Sequence, residues 1–63
     1  MSNALDVIVS ELNDKILMVE NALSLGRANS YDEYKYLCGE IRGLLTARDI
    51  VKDLKNRMEN EDE

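Results

Sequence analysis

The feature that most constrains this chain is a run of apolar residues spaced alternately four and three positions apart. In the first half of the sequence the run consists of Leu5, Val9, Leu12, Ile16, Val19 and Leu23. This spacing places side chains along one face of an α-helix and is typical of the seam of a coiled coil. The sequence contains no proline, which would interrupt a long helix. We therefore predict a first helix over about residues 3–25, with Asn3 or Ser2 as its N-cap.

A turn at residues 26–30 is predicted to separate this helix from a second one over about residues 31–59. Gly26 follows the last apolar positions, where glycine favours the left-handed conformation that ends many helices. Ser30 and Glu33 match a capping box, in which the serine caps the Glu33 amide and the glutamate reaches back to the helix start. Residues 60–63 are predicted to form an acidic tail.

The second helix carries a longer apolar stripe with one irregular step. Its members are Tyr34, Leu37, Ile41, Leu44, Ala47, Val51, Leu54 and Met58. The step from Leu44 to Ala47 is one residue too short for the alternation, which predicts a local overwinding of the coil. Because a short connection makes consecutive helices antiparallel neighbours, we predict one all-α domain over residues 1–63. Its architecture is an antiparallel two-helix hairpin resembling a coiled coil.

The hairpin is expected to need a partner. The C-terminal turns of the longer second helix should project past the first helix, leaving Leu54 and Met58 uncovered. A compact domain this short buries only roughly 60% of its unfolded surface and usually needs a disulfide, a metal or another chain. A single cysteine, Cys38, cannot form an intrachain disulfide, and one thiol without histidine cannot hold zinc. We therefore expect an oligomer or a complex with a larger protein, the alternative being an unusually well-packed monomer.

No combination of residues predicts catalysis, a metal site or a cofactor. Cys38 lacks the histidine base that activates a catalytic cysteine, and we interpret it as a half-buried packing thiol. Glycosidase-type catalysis needs two carboxylates across a pocket, and a two-helix hairpin has no pocket of that size. The acidic residues also lack the loop spacing of a calcium site, so we interpret them as a solvated face. The net charge of −5 argues against a nucleic-acid backbone as the main partner. A nucleic-acid-binding hairpin using Arg42, Arg48, Lys52 and Lys55 is the least favoured alternative.

Two glycines inside the second helix are its least expected feature. Gly39, Gly43 and Ala47 recur every four residues and line one narrow strip of helix surface. Each helical glycine costs roughly 0.8–1 kcal/mol relative to alanine. We interpret the strip as a close contact with another helix, within the hairpin or between chains, the alternative being poorly optimised surface positions. The predicted protein-interface residues are Tyr31, Tyr34, Gly39, Gly43, Ala47, Leu54 and Met58.

The second half of the chain also carries a pattern of tyrosines, glycines and aliphatic residues. It consists of Tyr31, Tyr34, Gly39, Ile41, Gly43 and Leu44, with Ile50, Asp53 and Leu54 beyond. This pattern resembles a group of short open reading frames found in tailed bacteriophages, especially short-tailed ones. The resemblance implies a virion or virion-assembly protein encoded among the structural genes near the portal, and it carries no catalytic residues.

We therefore predict a non-enzymatic virion protein that packs in multiple copies on a portal, a head–tail connector or a capsid component. The alternative is a small phage-encoded adaptor or inhibitor that binds a host protein. Expected partners are further copies of the chain, the portal or connector protein, or both, and no cofactor is expected. No apolar run approaches the ~20 residues of a membrane span, and the N-terminus lacks the pattern of a secretion signal. The expected location is the host cytoplasm during assembly and then the virion.

Overall fold

The computed structural model describes residues 3–60 as two helices joined by a short connection. α1 spans Ala4–Ser24 and α2 spans Tyr31–Asn60. The two helices pack against each other, and residues 3–60 contain no strand, which confirms the all-helical prediction. Asn60, which the sequence places in the acidic tail, is the last residue of α2. Ser2 and the remaining tail residues, 61–63, lie outside the described residues.

Both helices begin with side-chain caps. Asn3 Oδ1 accepts a hydrogen bond from the Asp6 amide at 2.9 Å, and Asp6 Oδ2 accepts one from the Asn3 amide at 3.4 Å, which completes a capping box. At the start of α2, Ser30 Oγ accepts from the Glu33 amide at 3.1 Å, as predicted. The Glu33 carboxylate accepts from the Asn29 amide at 2.7 Å. The bond that the Glu33 side chain accepts therefore comes from the amide of Asn29, one residue before the capping Ser30.

Gly26 ends α1 in a left-handed conformation, as the sequence predicts. Its φ is +69°, in the region where a β-carbon is unfavourable. The amides of Gly26 and Arg27 donate to the carbonyls of Leu23 and Ala22, at 3.1 and 3.0 Å. These two bonds form the Schellman arrangement, which satisfies carbonyls left free at a helix end.

Alanine substitutions at Gly26 and Gly39 are expected to change hairpin stability in opposite directions. A β-carbon at either position would meet no atom within 4 Å, so only the backbone conformation separates the two sites. Gly26→Ala should lower the free energy of unfolding by about 1–2 kcal/mol, the cost of a left-handed residue with a β-carbon. Gly39→Ala should raise it by about 0.8–1 kcal/mol through helix propensity. Urea denaturation followed by circular dichroism measures both, and changes of the same sign would contradict this account of the turn.

The seam between the helices includes polar residues as well as apolar ones. On α1 it follows the predicted spacing, and its most buried side chains are Ile16 and Val19, which are 5% and 9% exposed. On α2 the alternation of four and three continues without a break through partly buried residues: Leu37, Ile41, Leu44, Arg48, Val51 and Lys55. Ala47, one position before Arg48, is partly buried as well, so the irregular step at Ala47 stays a prediction. The seam also includes two cationic side chains, Arg48 and Lys55, that the apolar pattern does not predict.

These two cations contact α1 at polar partners. Lys55 Nζ forms an ion pair with Asp6, and Arg48 Nη1 donates to Asn13 Oδ1 at 2.9 Å. Lys55 lies one heptad after Arg48, whereas Asp6 lies one heptad before Asn13. Later residues of α2 therefore meet earlier residues of α1. The molecule is a flat rod with extents of 51 × 19 × 13 Å.

Both ends of α2 extend beyond the cover that α1 provides. The partly buried residues of α2 run only from Leu37 to Lys55. Tyr34, which the sequence places in the apolar stripe, is 50% exposed, because it lies beyond the point where α1 ends. At the other end Met58 is 52% exposed and lies three residues past Lys55, toward the predicted overhang. Leu54 is 38% exposed, but it precedes Lys55, which pairs with Asp6 of α1, so it lies beside the seam and not past the end of α1. Apolar surface therefore remains uncovered along α2.

Candidate protein interface

A second stripe of residues runs along α2 beside the seam. It has the same alternation of four and three, and its members are Tyr36, Glu40, Gly43, Ala47, Ile50 and Leu54. Tyr36 and Ile50 are 71% and 61% exposed, and the backbone of Gly43 is exposed between them. We call these six residues the second stripe. Spacing of this kind suits knobs-into-holes packing against another helix.

The second stripe follows from the polar residues in the seam. Because Arg48 and Lys55 continue the seam toward α1, the apolar residues one position earlier, Ala47 and Leu54, lie on the neighbouring stripe. There they align with Gly43 and Ile50, three or four residues away along the helix. α2 therefore presents two adjacent heptad surfaces, of which α1 covers one.

The glycines of α2 face open space within the hairpin. A β-carbon added at Gly39 or at Gly43 would meet no side chain and no other backbone within 4 Å. The close contact that the sequence predicts for this strip is therefore not made between α1 and α2. If the strip contacts another helix, that helix belongs to another chain.

A shallow depression next to the second stripe shows how α1 borders it. It is lined by Lys15, Met18 and Val19 of α1 and by Glu40 of α2, with a volume of about 110 Å³. Sites for small-molecule ligands are larger, roughly 300–1,000 Å³. Met18 is 70% exposed at its edge. The depression thus adds an apolar side chain of α1 to the face that carries Glu40.

The tyrosines at the start of α2 form a separate group. Tyr31 is 72% exposed, and Lys35 Nζ lies 5.4 Å from its ring centroid, within cation–π distance. Tyr34 lies one turn before Cys38, and hydrogen bonding with the Cys38 side chain raises the pKa of the Tyr34 hydroxyl. Cys38 is a free, partly buried thiol, in agreement with its interpretation as a packing residue.

The structure thus divides the predicted interface residues into groups. Gly43, Ala47 and Leu54 lie together on the second stripe. Gly39 lies one helical turn before Gly43, and Met58 lies one turn after Leu54. Tyr31 and Tyr34 do not align with that stripe. Sequence reasoning did not assign Tyr36, Glu40 and Ile50 to an interface. The alternation running through Gly43, Ala47 and Leu54 is the signal that identifies them.

The ion pair between Asp6 and Lys55 gives the hairpin a pH dependence. Hydrogen bonding with Lys55 lowers the pKa of the Asp6 carboxyl below its ordinary 3.8, and hydrogen bonding with Asp6 raises the pKa of the Lys55 ammonium above its ordinary 10.5. The carboxyl therefore contributes stability above its unfolded-state pKa, which is lost as the pH falls through the folded-state pKa. The ammonium contributes below its unfolded-state pKa, and this contribution is lost as the pH rises through the folded-state value.

Asp6→Asn is expected to flatten both limbs of this pH profile. The variant removes the titrating carboxyl of Asp6 and the partner that raises the pKa of Lys55, so its free energy of unfolding should fall less below pH 3.8 and above pH 10.5 than that of the wild type. Urea denaturation at a series of pH values measures the profile. Asp14→Asn, on the exposed side of α1, is the control and should keep the wild-type shape. Parallel profiles for wild type and Asp6→Asn would contradict the assignment.

Within residues 3–60 no group of three or more histidine, cysteine, aspartate or glutamate side chains is placed to hold a metal ion. Neither described helix combines the length and apolarity needed to cross a membrane. Comparison with known proteins finds no matching family model, no matching curated protein and no matching solved structure. The exposed second stripe is therefore the main candidate site.

Proposed function

We propose that this protein is a non-enzymatic component of a phage virion or of its assembly machinery. In this proposal the hairpin is an antiparallel coiled coil that packs in multiple copies on a portal, a head–tail connector or a capsid component. The observation that carries the proposal is the second stripe, a regular heptad surface of which five residues are exposed and one, Ala47, is partly buried. The phage setting is supported by the resemblance of the tyrosine and glycine pattern in α2 to short phage reading frames.

A protein partner fits the balance of buried and exposed surface. Only Ile16 and Val19 are buried among the described residues, whereas Met18, Tyr36 and Ile50 each expose more than 60% of their area. Surfaces of this kind usually mark sites of protein association. A symmetric ring or shell provides many equivalent binding positions for a small subunit. Its proposed location is the host cytoplasm during assembly and then the particle.

Quantitative mass spectrometry of purified particles tests the proposal. The chain should be present at a fixed, multiple copy number relative to the portal protein. Ile50→Glu, which places a charge in the second stripe, should reduce incorporation at least tenfold. Leu17→Glu is the matched control, because Leu17 is similarly exposed, 56% against 61%, but lies on α1. It should be incorporated as well as the wild type.

Two results would contradict this function. A chain that accumulates in infected cells but is absent from particles would favour an adaptor or inhibitor of a host protein. Equal incorporation of Ile50→Glu and Leu17→Glu would show that the second stripe is not the binding surface. In the first case, capture of host proteins with the same two variants would identify the surface that the adaptor uses.

A further inference from the structure

We propose that the second stripe of α2 binds the second stripe of another copy of this chain in the antiparallel direction. This inference rests on the proposed function, because it names one occupant for the surface that the function requires. The register opposes small residues to large ones and an acid to a base: Gly43 to Leu54, Ala47 to Ile50, and Glu40 to Arg57. The spacings of three and four residues that lead toward the C-terminus of one helix match those that lead toward the N-terminus of the other.

Side-chain size is the first argument for this register. A two-fold axis repeats each pair. The partner's Leu54 therefore occupies the space beside Gly43, which has no side chain, at both ends of the contact. Between them the small Ala47 faces the large Ile50, again twice. Gly43 has no neighbour within 4 Å of its β-carbon position, so the space that this packing needs is open. Alternating small and large residues let two helices approach and interdigitate.

Charge is the second argument. Glu40 lies one turn before Gly43, and Arg57 follows Leu54 by three residues, so both lie at the ends of the apolar contact. Arg57 Nε donates to Asp53 at 3.1 Å, and both side chains are about two-thirds exposed, at 65% and 68%. The guanidinium has five N–H groups, and the terminal ones remain available to a carboxylate of another chain. Each two-fold dimer would contain two such pairs of Glu40 with Arg57.

Other alignments of the same two stripes fit poorly. A parallel alignment would oppose Gly43 to Gly43 and Ile50 to Ile50, which leaves a void in one layer and crowding in another. It would also oppose Glu40 to Glu40, and like charges repel. An antiparallel alignment shifted by one heptad would oppose Gly43 to Ala47 and the charged Glu40 to the apolar Ile50. Of these alignments, the proposed register alone matches the layers between Glu40 and Arg57 in both size and charge.

The proposed contact extends along much of the hairpin. Residues 40–57 of α2 form about 26 Å of helix at 1.5 Å per residue, about half of the 51 Å length of the molecule. Met18 of α1, 70% exposed beside Glu40, extends the apolar part of this face beyond α2. Pairing two such faces produces a four-helix assembly, an arrangement in which hairpins cover each other's apolar surface.

Charge reversal with sedimentation equilibrium tests the register. Glu40→Arg alone and Arg57→Glu alone each place like charges together twice per dimer. Each should weaken self-association about tenfold, a modest effect because exposed ion pairs contribute little binding free energy. An equimolar mixture of the two single variants should recover the wild-type affinity, because every charged layer in the mixed dimer again joins an acid to a base. The double variant Glu40→Arg, Arg57→Glu should recover it as well. Single variants that associate like the wild type, or a mixture that stays weak, would overturn the register.

A pair of glycine variants tests the close approach by a different route. Gly43→Leu and Gly39→Leu add the same side chain in open space and gain the same helix propensity. Only Gly43→Leu fills the layer that the partner's Leu54 occupies, so it should weaken self-association at least tenfold through overpacking. Gly39→Leu, at the edge of the stripe, should stay within about threefold of the wild type. Equal affinities for the two variants would overturn the proposed contact.

These experiments separate the two proposals. If the wild-type chain stays monomeric at high concentration, self-pairing is wrong, while the effect of Ile50→Glu on incorporation into particles still decides the proposed function. If self-pairing holds and the chain is absent from particles, the dimer stands without the virion role.

Discussion

Ile16→Ala is expected to lower the free energy of unfolding by about 2–5 kcal/mol, the usual cost of removing a large aliphatic side chain from a core. Ile16 is the most buried side chain among residues 3–60, at 5% exposed, and Val19 is the only other buried one there. A single small core rarely supplies more than ~3–5 kcal/mol. The variant should therefore be largely unfolded at a concentration where the wild type is helical, as circular dichroism and urea denaturation can measure.

Leu17→Ala is the control for this prediction. Leu17 is the next residue along α1 and is 56% exposed, so its truncation should change the stability by less than about 0.5 kcal/mol. The two variants remove side chains of equal carbon count from the same helix turn. Similar losses for both would mean that α1 does not present the face containing Ile16 to α2.

The second large effect is expected where Arg48 meets Asn13 in the seam. Arg48 Nη1 donates to Asn13 Oδ1 at 2.9 Å, and Arg48 Nε is buried without a hydrogen-bond partner among the described residues. Asn13→Leu removes the acceptor and leaves a second donor of a charged group unpaired, which should cost about 1–3 kcal/mol. Replacing both residues by leucine should instead raise stability by about 1–3 kcal/mol, since apolar pairs often replace buried polar ones with a gain.

Double-mutant analysis by urea denaturation measures this pair. The single variants Asn13→Leu and Arg48→Leu and the combined variant should be strongly non-additive, because the two side chains share one contact. The double variant is also expected to remain helical at lower concentration than the wild type. If the effects of the two single changes simply add, the contact between Arg48 and Asn13 does not contribute to the seam.

Local signals in the sequence predict the helices and their ends well. Ser30 caps the Glu33 amide and Gly26 takes a positive φ because these residues act through their own chemistry and that of their near neighbours. The seam of α1 is predictable for the same reason, since its apolar residues repeat regularly. When α1 packs against α2, these aligned apolar residues become the buried and partly buried face of α1.

The seam of α2 could not be read from apolar residues alone. Arg48 and Lys55 hold seam positions because Asn13 and Asp6 on the facing helix supply polar partners, and pairing across helices has no local signal. Long cationic side chains can also cover apolar surface with their methylene stems. A pattern restricted to apolar residues therefore assigns Ala47 to the seam in place of Arg48, although Ala47 also aligns with the second stripe.

The second stripe is only partly predictable from the sequence. Gly43, Ala47 and Leu54 are predicted at an interface, but the apolar pattern alone does not show that they align with Tyr36 and Ile50 in a separate alternation. Tyr34 was likewise predicted in the apolar stripe, although α1 ends before it can cover that side chain. Knowing which helix ends first requires the register, which only the contacts between the helices supply.

We expect the second stripe of α2 to be covered by a second copy of this chain. Light scattering with circular dichroism on the same wild-type sample, across a dilution series, tests it most directly. We expect twice the mass of the 7.2 kDa chain at high concentration, falling toward that of one chain on dilution, with a parallel loss of helicity. A chain that stays fully helical and strictly monomeric across the series would contradict the claim, because its exposed stripe would then need no cover.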